Sequence, residues 1–264
     1  MDKNYASKSQ EEIWSEKAQK FPVYDEDDMQ DMKSVSNVIA IAGSRGVEIA
    51  DREIIDIGCG TGRHTLMLAR KAKSVLGTDI SSKMIEILNA TAQKYAIANV
   101  AALHMDWRSI DINELGWRKK FDVAWAAMTS AINGRGDIEK MNLCAREYCV
   151  TVAWGRKREN LLLSEIFKAH GAKFDVPFSA LNLSSELDSI GISHTLDFLD
   201  NSWTSEGTRE EITRDMMWHL GINKIEGDLS KINRIIDAYH KGGGLIKHTT
   251  SMEMGILVWR VKAA

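Results

Sequence analysis

Glu53-Ile-Ile-Asp-Ile-Gly-Cys-Gly-Thr-Gly62 is the stretch that decides the fold. Ile54, Ile55 and Ile57 read as a short buried strand, and glycines at 58, 60 and 62 follow at once. Glycine tolerates positive φ and leaves no Cβ between the main chain and a ligand. The next stretch, Arg63 to Lys73, reads as a helix whose first N–H groups face the same turn. A strand, a glycine turn and a helix in that order let a backbone come close to a nucleotide-like ligand.

The surroundings narrow the ligand. A dinucleotide fingerprint needs a glycine or alanine where Arg63 stands, and no G-x-x-x-x-G-K-[ST] string occurs anywhere. Asp56 sits two residues before the first glycine and is expected to face the ligand, where it would repel pyrophosphate and suit a cationic group. Ser74 to Ile80 reads as a second strand ending in Asp79, an acid placed to take both hydroxyls of a ribose. Ser81-Ser82 then caps a helix with Met84, Ile85, Leu88 and Ala92 on one face. A third strand, Val100 to Met105, ends in Asp106-Trp107, where a carboxylate can meet an adenine amino group. A fourth, Phe121 to Met128, closes the ligand's other side. Each acid also has a structural alternative: Asp79 as a helix cap, Asp106 as a loop former. Trp107 could be an edge-of-core aromatic, and His64 a first-turn residue satisfied by the backbone.

Taken in order, these pieces resemble the class I S-adenosylmethionine-dependent methyltransferases, in the small-molecule branch with the motif D-x-G-C-G-T-G. The resemblance covers about Ile54 to Ala153. It implies that Asp56, Gly58, Cys59, Gly60 and Gly62 surround the methionine part of S-adenosyl-L-methionine. It further implies that Asp79 holds the ribose, Ile80 lies against the adenine, Asp106 and Trp107 border it, and Ala126 and Met128 lie near the sulfonium. The fold implied is α/β and Rossmann-like, a seven-stranded mostly parallel sheet with an antiparallel last strand.

Composition agrees with one globular enzyme. A chain of 264 residues with 44% hydrophobic content can bury a substantial core. A formal net charge of −3 gives no general attraction to nucleic acid or an anionic membrane. The basic clusters Arg70-Lys71-Lys73, Arg118-Lys119-Lys120 and Arg156-Lys157-Arg158 read as solvated loop or helix ends. Cys59, Cys144 and Cys149 have no metal-finger or C-x-x-C spacing, so no metal site and no disulfide framework is expected, and a reducing compartment fits. With no apolar signal core and no span of membrane length, a cytoplasmic location is expected.

Along the chain, residues 8 to 20 carry Ile13, Trp14 and Ala18 in a helical pattern, Pro22 interrupts, and Met29 to Ala42 resumes as a helix. The stretch Trp14 to Phe21 resembles the tryptophan-containing leader of small-molecule methyltransferases. On that resemblance residues 1–26 are a helical lid, and Tyr5, Trp14 and Tyr24 are candidate pocket residues. After the fourth strand come a helix at 137–147, a strand at 149–154, a polar link at 155–160, an amphipathic helix with Leu161, Leu162, Ile166 and Phe167, a short helix at 184–190 and a strand at 192–199. A last strand covers 254–261. Thr208-Arg-Glu-Glu211 is a capping box leading into Ile212, Met216 and Leu220. A second helix from Ser230 presents Ile232, Ile235, Ile236 and Tyr239 and stops at Gly242-Gly243-Gly244. Residues 205–244 are therefore a two-helix insertion in a single methyltransferase domain, 1–264, whose core is 27–204 and 245–264. The insertion emerges at the carboxyl edge of the sheet, where open α/β sheets bind ligands. It is expected to roof the acceptor site, and a homodimer contact would use the same apolar faces.

The functional expectation is methyl transfer to a small-molecule acceptor by in-line displacement, with S-adenosyl-L-homocysteine as product. The fourth strand ends Ala126-Ala-Met-Thr129 and lacks the N/D-P-P-Y sequence of methyltransferases acting on base or glutamine amino groups. The alternatives are a tRNA or rRNA methyltransferase, or a cofactor-binding sensor or partner subunit without turnover. No catalytic residue is assigned; an acceptor that needs a base could use His219, His240 or Tyr24.

Overall fold

The computed structural model describes residues 8–240, 242 and 244–261. Its centre is a repeated strand–helix unit. β1 (Glu53–Ile57), α3 (Arg63–Ala69), β2 (Ser74–Asp79), α4 (Ser82–Lys94), β3 (Val100–His104) and β4 (Phe121–Ala127) follow one another. Ahead of them stand α1 (Gln10–Lys17), a 3₁₀ turn at Ala18–Lys20, and α2 (Met29–Ser44). Behind them come α5 (Arg135–Cys144), β5 (Ala145–Glu159), α6 (Leu161–Ala169), α7 (Ala180–Ser189), β6 (His194–Gly207), α8 (Arg209–Ile222), α9 (Leu229–Tyr239) and β7 (Ile246–Arg260). The strands form one sheet in the order β3-β2-β1-β4-β5-β7-β6. β7 runs antiparallel to both neighbours, and the pairs from β3 across to β5 are parallel. This is the expected seven-stranded architecture.

Each face of the sheet carries a core. Ile54, Val75, Val123, Trp125 and Val150 face α2, α3 and α4. Ile55, Ile57, Ala124, Cys149 and Trp259 face α5 and α7. This alternation of neighbours along β1 and β4 is what a strand covered on both sides requires. A third core joins Leu162, Ile166 and Phe167 of α6 to Ile212, Met216 and Leu220 of α8 and Ile232 and Ile236 of α9. The inserted helices thus share a core with α6.

Several boundaries differ from expectation. α3 stops at Ala69, not Lys73, and β3 and β4 each stop one residue early. β5 continues through the presumed polar link to Glu159, because Arg158 and Glu159 find partners in Met252 and Ser251 of β7. β6 runs on to Gly207, which pairs with Ile246. The last two strands therefore do form a hairpin, a long one, and the helix pair sits at its tip between residues 208 and 245. The Thr208 capping box is present, whereas the second inserted helix is capped by Asp228. β6 is one edge of the sheet. Among the described residues no helix is long and apolar enough to cross a membrane.

Candidate active-site cleft

Where the parallel strands end, their carboxyl ends open into a cleft of about 780 Å³, counting its mouth. Gly58 and Gly60 line its floor with Thr78, Asp79 and Ile80, and Met105 to Arg108 and Met128 to Ala131 form its sides. Gln10, Trp14 and Phe21 close it from above.

The glycine turn has a separate reason for each glycine. Gly58 has φ 68°, and a Cβ there would collide with the Thr129 side chain, so the turn and the end of β4 touch through it. Gly62, φ 92°, starts α3, where a Cβ would stand 2.7 Å from Leu88 Cγ. Gly60, φ 54°, has nothing within 4 Å of where its Cβ would be. Of the three it has the most open surroundings, and its left-handed backbone lines the cleft. The turn is anchored from below by Gly58 and Cys59 N–H donating to Thr78 O at 2.7 and 3.0 Å.

Asp79 binds the turn from the side. Its carboxylate accepts from Gly60 N–H at 2.9 Å and from Ser81 N–H at 2.8 Å, and burial still holds its pKa above the ordinary carboxylate value. Ser81, not Asp79, caps α4, accepting from Met84 N–H at 3.2 Å. Thr78 Oγ1 and Trp107 Nε1, in two further lining residues, are buried without a hydrogen-bond partner. Asp106 lines the cleft and also shapes its loop, accepting from Arg108 N–H at 3.0 Å. Met128 is a non-glycine residue with φ 51°, and its N–H donates to Val152 O at 2.7 Å. Backbone held in this region is strained by roughly 1–3 kcal/mol, a cost met most often at functional sites.

Of the residues singled out by sequence, the cleft gathers Gly58, Gly60, Asp79, Ile80, Asp106, Trp107, Met128 and Trp14. Others lie elsewhere. Asp56 is buried beneath the turn and accepts from Thr65 Oγ1 at 2.6 Å; burial, chiefly, pushes its pKa up to about 7. It is not among the residues that line the cleft. Cys59 packs under Gly77, and burial raises its thiol pKa far above the ordinary value. Ala126 is buried in the core below the sheet. Tyr24 is buried against Tyr95 and donates to Glu26 at 2.9 Å. His219 lies inside the inserted region, 3.7 Å from Asp215, and burial drives its pKa down to about 3. His240 ends α9, outside the cleft. Tyr5 lies outside the described residues. Among the described residues no histidine lines the cleft. Thr78, Met84, Arg108 and Ser130 do line it and carried no sequence signal beyond that of ordinary strand, helix or loop residues.

The roof is held in two ways. Towards the core, Ser15 Oγ meets Ser81 Oγ at 2.8 Å, and Thr61 Oγ1 donates to Pro22 O at 2.6 Å. Away from it, α1 is clamped by the insertion. Trp14 packs edge-on against Trp218 at 5.5 Å, Trp218 Nε1 donates to Ile13 O at 3.2 Å, and Lys17 pairs with Asp215.

Residues 54–146, which carry most of this cleft, match the family model described as a methyltransferase domain. Over that stretch the chain is similar to a methyltransferase domain. The chain has the fold of the YcgJ protein of Bacillus subtilis, with a TM-score of 0.54 at 11% identity over 86% of this chain and 98% of that one. A Bacillus halodurans protein described as a candidate methyltransferase gives 0.56 at 11% identity, over 88% of this chain and all of the other. An uncharacterised protein of Haemophilus influenzae is 27% identical over 154 residues, 57% of this chain and 54% of that protein. A second from the same organism is 48% identical over 44 residues, 16% of this chain and 17% of its own length. The chain thus spans about half the length of the first of these relatives and about a sixth of the second.

Proposed function

We propose that the whole chain moves a methyl group from S-adenosyl-L-methionine to a small-molecule acceptor held under the roof of α1 and α8. The observation that carries this reading is the bare Gly60 backbone beside the Asp79 carboxylate in one cleft. The Asp79 oxygens have lone pairs left for ribose hydroxyls. Thr78 Oγ1 and Trp107 Nε1 are buried polar atoms still wanting partners, and Gly60 offers the close approach that a side chain would block.

When bound, the cofactor supplies a methyl carbon on a positively charged sulfur; an acceptor lone pair forms the new bond to carbon as the carbon–sulfur pair returns to sulfur. The chain's own part is positioning and exclusion of water. Asp79 orients the sugar, Gly58 and Gly60 admit the amino-acid end, and Met128 and Thr129 lie at the end of β4 where the acceptor approaches. Trp14 and Phe21 shut out solvent from above. Tyr24, His219 and His240, the bases considered from sequence, stand outside the cleft, which favours an acceptor that is already a nucleophile or loses its proton to water.

A small-molecule acceptor is favoured by the charge balance: the formal net charge is −3, and within the basic clusters Arg70 pairs with Glu26, Lys73 with Glu53, Arg156 with Glu253 and Lys157 with Asp200.

Calorimetry with S-adenosylhomocysteine, NAD and ATP tests the cofactor side, with binding expected for the first alone. Incorporation of labelled methyl into a metabolite pool tests turnover. Tight NAD binding with none to S-adenosylhomocysteine would overturn the proposal.

A further inference from the structure

Past its last core residue, β5 carries a cation that the cofactor cleft leaves unexplained. The Arg158 guanidinium lies between two rings, 4.2 Å from the centroid of Trp154 and 4.2 Å from that of Phe174. All three residues are half-buried. The guanidinium makes no hydrogen bond or ion pair among the described residues, and its Nε is buried without a partner. Neighbouring charges are already matched: Arg156 binds Glu253, Lys157 binds Asp200, and Asp215 of α8 is engaged by Lys17. Burial pushes Arg158 down to about 10, so it remains charged at neutral pH.

A second donor lacks an acceptor nearby. Asn160 Oδ1 accepts from Leu163 N–H at 3.0 Å, which fixes its amide; its Nδ2 then donates to Thr250 Oγ1 at 2.8 Å and to His248 Nδ1 at 2.9 Å. His248 must therefore carry its hydrogen on Nε2, which is buried without a partner. Burial chiefly holds down the pKa of His219 in α8, with Arg158 and His248 adding smaller effects in the same direction.

Position ties this group to the cleft. Val152 O accepts from Met128 N–H, and Trp154 is two residues further along the strand, about 7 Å at ~3.3 Å per residue. The guanidinium stacked on Trp154 thus stands on the order of 10 Å from the end of β4. A stacked guanidinium keeps its edge free for a planar two-oxygen partner, which Arg binds through parallel N–H bonds. A single such fork matches one carboxylate better than a phosphate, whose further oxygens and charge ask for more donors.

Building on the methyltransferase reading, we infer that Arg158, held between Trp154 and Phe174, recognises a carboxylate on the methyl acceptor. The acceptor is then a small carboxylic acid whose methyl-accepting atom lies on the order of 10 Å from that carboxylate, with flat or apolar surface to set against the two rings.

Benzoate and its neutral isostere benzamide are the probes, titrated by calorimetry into the full-length protein at constant ionic strength. Benzoate is expected to bind at least about tenfold more tightly than benzamide. Arg158→Gln should erase that preference, and Arg158→Lys should keep part of it. Equal binding of the two probes, binding of neither, or an unchanged preference in Arg158→Gln would overturn the inference. If Arg158→Gln does not fold, the wild-type preference and Arg158→Lys decide. S-adenosylhomocysteine is titrated into the same preparations. Its failure to bind while benzoate binds through Arg158 would sink the methyltransferase reading alone; its binding without a benzoate preference would sink this inference alone.

Discussion

Asp79 accepts from two backbone N–H groups and still faces the cleft, so replacing it has two effects. Asp79→Ala should weaken S-adenosylhomocysteine binding by about 10–100-fold, or about 1.5–3 kcal/mol, measured by calorimetry on folded protein. Asp79→Asn keeps one acceptor oxygen and should lose less. Asp56 supplies a pH prediction. Its folded pKa of about 7 lies above the ordinary carboxylate value of 3.8, so the folded state holds the proton that the unfolded state has released. The stability this group contributes is complete below the unfolded value and is lost as pH rises through about 7. Urea unfolding at several pH values should show wild type losing stability relative to Asp56→Asn as pH rises from 3.8 to about 7, with little further loss above that; a constant difference would argue that Asp56 stays ionised. The same two acids mark what was legible in the chain. Asp79, Asp106 and Met128 stand at strand ends, where sequence position and the cleft coincide. Asp56, Cys59 and Gly62 belong to the same motif but serve the turn's underside, bonding Thr65, packing on Gly77 and clearing Leu88. A motif gives the path of the backbone, and the direction of each side chain depends on which neighbours close over it.

At the level of elements, α1 and α8 form one roof through Trp14, Trp218, Lys17 and Asp215. Sequence places the insertion over the acceptor site; its clamp on Trp14, itself a cleft residue, couples it to the rest of the cleft as well. Trp218→Ala, a change outside the cleft, should lower S-adenosylhomocysteine affinity several-fold while the core stays folded by circular dichroism. Excision of residues 208–245 should do so as well. Unchanged affinity in both would mean that α1 holds its place without α8. The inserted helices were readable because their apolar faces repeat at helical spacing behind a capping box. The outer parts of β5 and β6 were not. Gly155 to Glu159 and Asp200 to Gly207 are polar because their strands run past the core, and a strand wetted on its faces leaves no hydrophobic alternation to read. Their pairing comes from β7, distant in sequence.

For the molecule as a whole, charge separates the substrate classes. With a formal net charge of −3 and part of each of two basic clusters paired to acids, the protein should bind neither tRNA nor duplex DNA measurably at physiological ionic strength, since counterion release requires several phosphate contacts made together. Salt-sensitive, submicromolar tRNA binding in filter or fluorescence assays would instead favour the nucleic-acid alternative. The long outer strand β6 has a consequence of another kind. A strand bordering a sheet exposes a ladder that can recruit strands from other molecules, and at 14 residues this is a long border. Asp197, Asp200 and Glu206 lie along it, each with a basic partner in Arg45, Lys157 or Lys247. An incoming strand would have to dehydrate those ion pairs, so the charges along β6 also guard the protein against stacking into fibrils.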